Sequence, residues 1–163
     1  MQPCPYSSKG LGNPELWEDR PRRSNINWKK AQMPNQVDIT VKKADGTTDT
    51  TYLKVVPSSG SNSPAKWQGP TGAAMAHKPT LQVKSSSNAQ NTVRFIEISY
   101  TFPETATGSD GKISVVNRMG FTMRMVRPTD MSDSLVAEAV AQGCNLLASA
   151  HVKAQFNEGY AAT

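Results

Sequence analysis

Two cysteines, two histidines and an aromatic content of 7% leave this 163-residue chain little of the usual material for catalysis, metal binding or stacking. Cys4 and Cys144 lie far apart with no CxxC spacing, which argues against a thiolate metal site. Cys144 falls on an apolar helical stripe, where burial as a small hydrophobe is the preferred reading over a disulfide, and a reducing compartment suits both thiols. His77 and His151 sit in unlike contexts without convergent carboxylates, and no GxSxG, HExxH, P-loop or dinucleotide fingerprint occurs. The sequence therefore reads as non-enzymatic, with no catalytic residue, metal or cofactor. No apolar run approaches the roughly 18–20 residues of a membrane span, and Met1-Gln2-Pro3-Cys4-Pro5 lacks the basic and apolar regions of a secretion signal.

The apolar fraction is also low, 37% against roughly 45–50% for globular domains counted with Gly. Either much of the chain is loop, or its core is completed by another copy. The charge is +5 and unevenly placed. Residues 1–129 hold 17 Lys/Arg against 9 Asp/Glu, a balance of +8, and residues 130–163 hold 1 against 4, a balance of −3. A basic body with an acidic tail suits a two-faced particle that meets a polyanion on one side.

Residues 1–36 carry five of the eleven prolines and read as an irregular basic arm. Within it Arg20, Arg22, Arg23, Lys29 and Lys30 are interleaved with Trp17 and Trp28. That pattern serves RNA contact through charge and stacking, or a solvated arm whose tryptophans pack on a neighbour. Residues 37–163 read as a single domain. Val37–Val41 alternates apolar and polar, Asp45-Gly46 signals a turn, and Thr51–Val56 follows, which predicts a hairpin. After a Pro/Gly/Ser-rich stretch over 57–79, with Ala65-Lys66-Trp67 as a strand fragment inside it, three strands are predicted: Pro79–Ser85, Val93–Phe102 and Ile113–Arg127. Pro103 and Pro128 are read as strand stops, with a loop over 104–112.

The period then changes. Asp130 is read as a helix cap, and Val136, Val140, Cys144 and Leu147 recur at helical spacing. After a break near Ser149, Val152 and Phe156 mark a second helix that Gly159 stops. The fold class is α+β with segregated helices. A helix about 10 Å wide cannot cover about five strands spaced at about 4.8 Å, so a partner's helix is expected to cover the remainder.

In this order and spacing, several segments resemble the coat proteins of single-stranded RNA bacteriophages over about 60% of the chain. These are Ala65-Lys66-Trp67, the polar turn Ser86–Asn91, the strand Arg94–Phe102 closed by Pro103, Met123–Arg127 closed by Pro128, the helix Ser134–Leu147, and Asn157-Glu158-Gly159-Tyr160. The N-terminal arm and the stretch 68–79 depart from the family pattern. The resemblance implies an N-terminal β-hairpin, a five-stranded antiparallel sheet, two C-terminal α-helices and an interlocked homodimer. It further implies an icosahedral capsid around genomic single-stranded RNA, with a maturation protein as a further partner. Assembly would take place in the bacterial host cytoplasm, and an RNA hairpin would be bound for translational repression.

The strand positions opposite the apolar set, Thr80, Gln82, Lys84, Glu97, Ser99, Thr122 and Arg124, are the candidate RNA-binding residues. By resemblance they face the shell interior. Lys84 and Arg124 suit phosphates, and Thr80, Gln82, Ser99 and Thr122 offer hydrogen bonds, unless each is a plain solvated strand position. Phe95 stacks a base or is an exposed packing residue. Glu97 accepts from a base or, in the preferred reading, pairs with Arg124. Gly108 and Gly111 give the loop 104–112 either two conformations at symmetry axes or an ordinary hairpin turn. The rival function is a dimeric regulatory RNA-binding protein that builds no capsid.

Overall fold

The computed structural model describes residues 34–162. The basic cluster read in the arm lies outside the described residues. Six strands, β1 (Ile39–Lys42), β2 (Asp49–Val56), β3 (Ala65–Gln68), β4 (Thr80–Ser87), β5 (Val93–Thr107) and β6 (Ile113–Pro128), form one antiparallel meander in chain order. The expected hairpin and five-stranded sheet are thus continuous, because β2 pairs with β1 through its first half and with β3 through its second.

The β1–β2 turn is set by Asp45 and Gly46, the latter at φ 71. The Asp45 carboxylate accepts the Thr48 hydroxyl and the Thr48 and Thr47 amides, the amides at 2.8 and 2.9 Å. These bonds, that of the Thr48 side chain foremost, hold its pKa down at about 2 from an ordinary 3.8. A depressed folded-state pKa contributes stability that is present above the ordinary value and is lost as pH falls through the lower one. Protection of the Thr47 and Thr48 amides, measured against the unstructured chain at the same pH, is therefore expected to fall as pH drops from 3.8 toward 2. In Asp45→Ala, that protection should already be absent at neutral pH and show no such step. A wild-type step that persists in the variant would mean another group governs the turn.

In a flat sheet β2 would lie three strand spacings, about 14 Å, from β5. Instead the Tyr52 and Tyr100 rings meet edge-on at 6.2 Å with their hydroxyls 2.8 Å apart. Ile39 and Val41 line one hollow with Phe121. A register shift between Lys54 and Val56 bends β2, so the hairpin folds over one face of the sheet. Burial, and then the bond with Tyr52, push the Tyr100 phenol above its ordinary range.

Pro103 does not end β5, which runs on to Thr107 against β6. β4 starts at Thr80, paired with Thr101, so beyond that point β5 has a neighbour on one side only and the missing proline N–H leaves no bond unmade. The expected loop 104–112 shortens to 108–112, with Gly111 at φ 75.

Helix α1 (Asp133–Ala148) follows β6, and α2 (Ala150–Glu158) follows α1. Ser132, not Asp130, holds the N-cap position. Asp133 in the first turn bonds Arg127 at 2.8 Å and ties the helix to the end of β6. The Ser149 hydroxyl donates to the Leu146 carbonyl at 2.7 Å and accepts the Val152 amide, which makes the predicted break. Gly159, left-handed at φ 73, ends α2.

The helices pack on each other and make no extended contact with any strand. The chain's own helix was expected to cover part of its sheet, and it covers essentially none. Neither helix buries a residue. Among the described residues Ala65 is the one buried hydrophobic, while Phe121 is 53% and Leu146 66% exposed. Cys144, expected to be buried, is exposed. The cause is shared: its apolar stripe faces a groove that none of the described residues fills.

Candidate nucleic-acid interface

Strand register sorts the side chains into two faces. On one, Leu81 and Val83 of β4 stand opposite Tyr100 and Ile98 of β5, which stand opposite Phe121 and Met123 of β6. Positions of the other parity form cross-strand rows. Lys66, Gln82, Ser99 and Thr122 make one row across four strands, and Lys84, Glu97 and Arg124 make the next. Gln68, Thr80 and Thr101 make a third. All seven candidate residues therefore share one face, as the alternation of the sequence requires.

The charges on this face pair differently from the sequence reading. Glu97 stands between Lys84 and Arg124, and it bonds Lys84, with Nζ to Oε2 at 3.4 Å. Arg124 instead lies over the Phe95 ring, its guanidinium carbon 4.1 Å from the ring centre. The preferred Glu97–Arg124 pair is thus replaced by a Lys84–Glu97 pair and a cation–π stack. A flat guanidinium gains from the ring quadrupole what an exposed carboxylate, screened by water, scarcely adds. Phe95 in turn has one face occupied by Arg124 and is not open on that side to a base. The Ser99 and Thr122 hydroxyls are 3.5 Å apart, leaving their bonding capacity largely to solvent or a ligand.

Two further cations, Lys66 and Arg118, share this face beyond the seven residues expected there. Lys66 pairs with Gln82, and Arg118 with Pro103, both at the polar parity. The alternation of Ala65-Lys66-Trp67 could have placed Lys66. Arg118 lies inside the predicted strand Ile113–Arg127 at the parity of Thr122 and Arg124, so the same alternation could have placed it. Together Lys66, Lys84, Arg118 and Arg124 give the face four cations against Glu97.

At the margin of the sheet the long outer edge of β6 has no partner strand among the described residues. Between that edge and α1 runs an apolar groove of about 420 Å3, lined by Met123 and Met125 and by Val136, Val140, Cys144 and Leu147. Among the described residues no helix is long and apolar enough to cross a membrane.

No family model and no curated protein sequence matches the chain. Solved structures do. A virus-like particle of Beihai levi-like virus 21 superposes with a TM-score of 0.69 at 14% identity, covering 80% of this chain and 99% of that one. The virus-like particle of bacteriophage ESE058 gives 0.66 at 15%, covering 80% and 100%. The capsid protein of bacteriophage GA gives 0.62 at 12%, covering 76% and 95%. At these identities the likeness is one of fold: this chain has the fold of the levivirus-like RNA phage coat proteins.

Proposed function

We propose that the protein is the capsid subunit of a single-stranded RNA phage, a structural rather than catalytic protein. It dimerises, assembles into an icosahedral shell in the bacterial cytoplasm, and holds genomic RNA on its polar sheet face. One observation carries the reading. The described residues have almost no core of their own, yet offer an edge strand of 16 residues, about 53 Å long, unpaired among them and beside an apolar groove. Such an edge is a pairing template. A second copy related by a two-fold axis supplies both missing parts: its β6 continues the ladder, and its α1 fills the groove with the same stripe.

In that dimer residues 37–163 are the coat domain and residues 1–36 a basic arm. The genome and a maturation protein are the further partners in the virion. Binding of an RNA hairpin on the polar face would let the dimer repress translation.

Expressed alone in bacteria, the full chain is expected to yield particles of uniform diameter that contain host RNA, read by electron microscopy and by nuclease-protected RNA content. A dimer that builds no particle under varied salt and added RNA would instead favour a regulatory RNA-binding protein. A stable monomer would remove both readings.

A further inference from the structure

We propose that Asp110-Gly111, at the tip joining β5 to β6, is a site of spontaneous backbone isomerisation, and that the matching Asp45-Gly46 tip is protected from it. The chain builds two Asp-Gly turns with a common core. Gly46 at φ 71 and Gly111 at φ 75 both lie in the left-handed region. Each glycine amide donates back to the carbonyl three residues earlier, Gly46 to Lys43 at 3.0 Å and Gly111 to Gly108 at 2.9 Å. Both aspartates are exposed, so water reaches both.

The reaction needs only the chain and water. The Gly111 nitrogen attacks the side-chain carbon Cγ of Asp110, an approach that a glycine eases because no Cβ stands in the way. The N–Cγ bond forms, the Cγ–OH bond breaks, and the amide proton leaves with that hydroxyl as water. A five-membered imide results. Water then adds to the imide carbonyl that was the Asp110 main-chain carbonyl and breaks its bond to nitrogen. The chain now runs through the side chain, and the former main-chain carbonyl is a free carboxylate. Atoms and charge balance over the two steps. The route requires a neutral carboxyl, whose hydroxyl can leave, and a turn that opens far enough to bring the nitrogen to Cγ.

The two turns differ in how firmly the carboxylate is held. Asp45 accepts the Thr47 amide at 2.9 Å, the Thr48 amide at 2.8 Å and the Thr48 hydroxyl. Those bonds favour the charged form and must break before Cγ can turn to the Gly46 nitrogen. With a pKa of about 2 in place of 3.8, the neutral Asp45 carboxyl is rarer by about 60-fold. Among the described residues Asp110 accepts one amide, that of Lys112 at 3.1 Å. The Lys112 ammonium lies 3.8 Å away and is 85% exposed, where water screens it. Isomerisation inserts the Asp110 Cβ into the main chain. The ring closed by the Gly111-to-Gly108 bond then grows by one carbon at the end of strands of 15 and 16 residues. The tip frays and carries a covalent record of the protein's age.

The test holds the full-length protein for weeks at neutral pH and body temperature in water enriched in heavy oxygen. Peptide mapping follows, since each imide hydrolysis leaves one heavy oxygen and the isomerised peptide elutes apart from its parent. The peptide with Asp110 is expected to convert at least about tenfold faster than the one with Asp45. Thr48→Val, which removes the foremost bond on Asp45, should raise conversion at Asp45. In concentrated urea the two sites should converge. Asp110→Glu should silence its peptide, because the larger ring closes more slowly. Equal rates in the folded chain, no heavy oxygen at Asp110, a difference that survives urea, or a Thr48→Val variant with Asp45 unchanged would overturn the proposal.

Discussion

Val140→Asp is expected to abolish the dimer and every particle. In the isolated chain Val140 is 39% exposed and lines the groove beside β6, so a carboxylate there meets water and its cost falls on the dimer. In the proposed dimer the same position is covered by the partner's helix. The substitution then removes a buried apolar side chain, about 1.5–3 kcal/mol, and adds an unpaired charge in an apolar seam. Two-fold symmetry applies the penalty twice. At about 1.4 kcal/mol per decade, a total of about 5 kcal/mol raises the dimer dissociation constant more than a thousandfold. Sedimentation should show the dimer and the particles replaced by monomer or aggregate. Normal particles from this variant would mean that another surface closes the dimer.

Why that surface is decisive also explains what the sequence could and could not disclose. The helical stripe of Val136, Val140, Cys144 and Leu147 was legible because helical periodicity is local, and the same side chains line the groove. The two sheet faces were legible because strand parity is local, and all seven candidate RNA residues fall together. What periodicity cannot reveal is which molecule an apolar stripe faces. Cys144 has the same pattern whether its cover comes from its own sheet or a partner's, and the assumption of cover from its own sheet failed. Pro103 was misread for a related reason. Proline stops a strand flanked on both sides, but β4 begins too late to flank it. The pairing of Glu97 was decided by side-chain geometry that register alone leaves open, since Lys84 and Arg124 are both its cross-strand neighbours.

That choice of partner sets two opposite effects on RNA binding, the second large prediction. Glu97 is the acidic member of its row and occupies Lys84 at 3.4 Å, with both side chains about two-fifths exposed. An exposed pair of this kind contributes little stability, so Glu97→Gln should leave the melting temperature nearly unchanged. On a surface that meets phosphates it removes a repulsion and frees a cation. One unit charge at about 4 Å in water is worth about 1 kcal/mol, so RNA affinity should rise about fivefold per subunit. Because Lys84 becomes able to release a counterion, the salt dependence should steepen, by about 0.7 per phosphate engaged on a single strand. Arg124→Ala removes a cation that has no carboxylate partner among the described residues, so affinity should fall and the slope should flatten by a similar 0.7. Arg124→Lys keeps the charge and hence the slope, but loses the flat stack on Phe95. Filter binding at several salt concentrations separates the three. If Glu97→Gln does not tighten binding, or Arg124→Ala leaves the slope unaltered, phosphates do not approach this row, and the RNA must be held elsewhere on the chain.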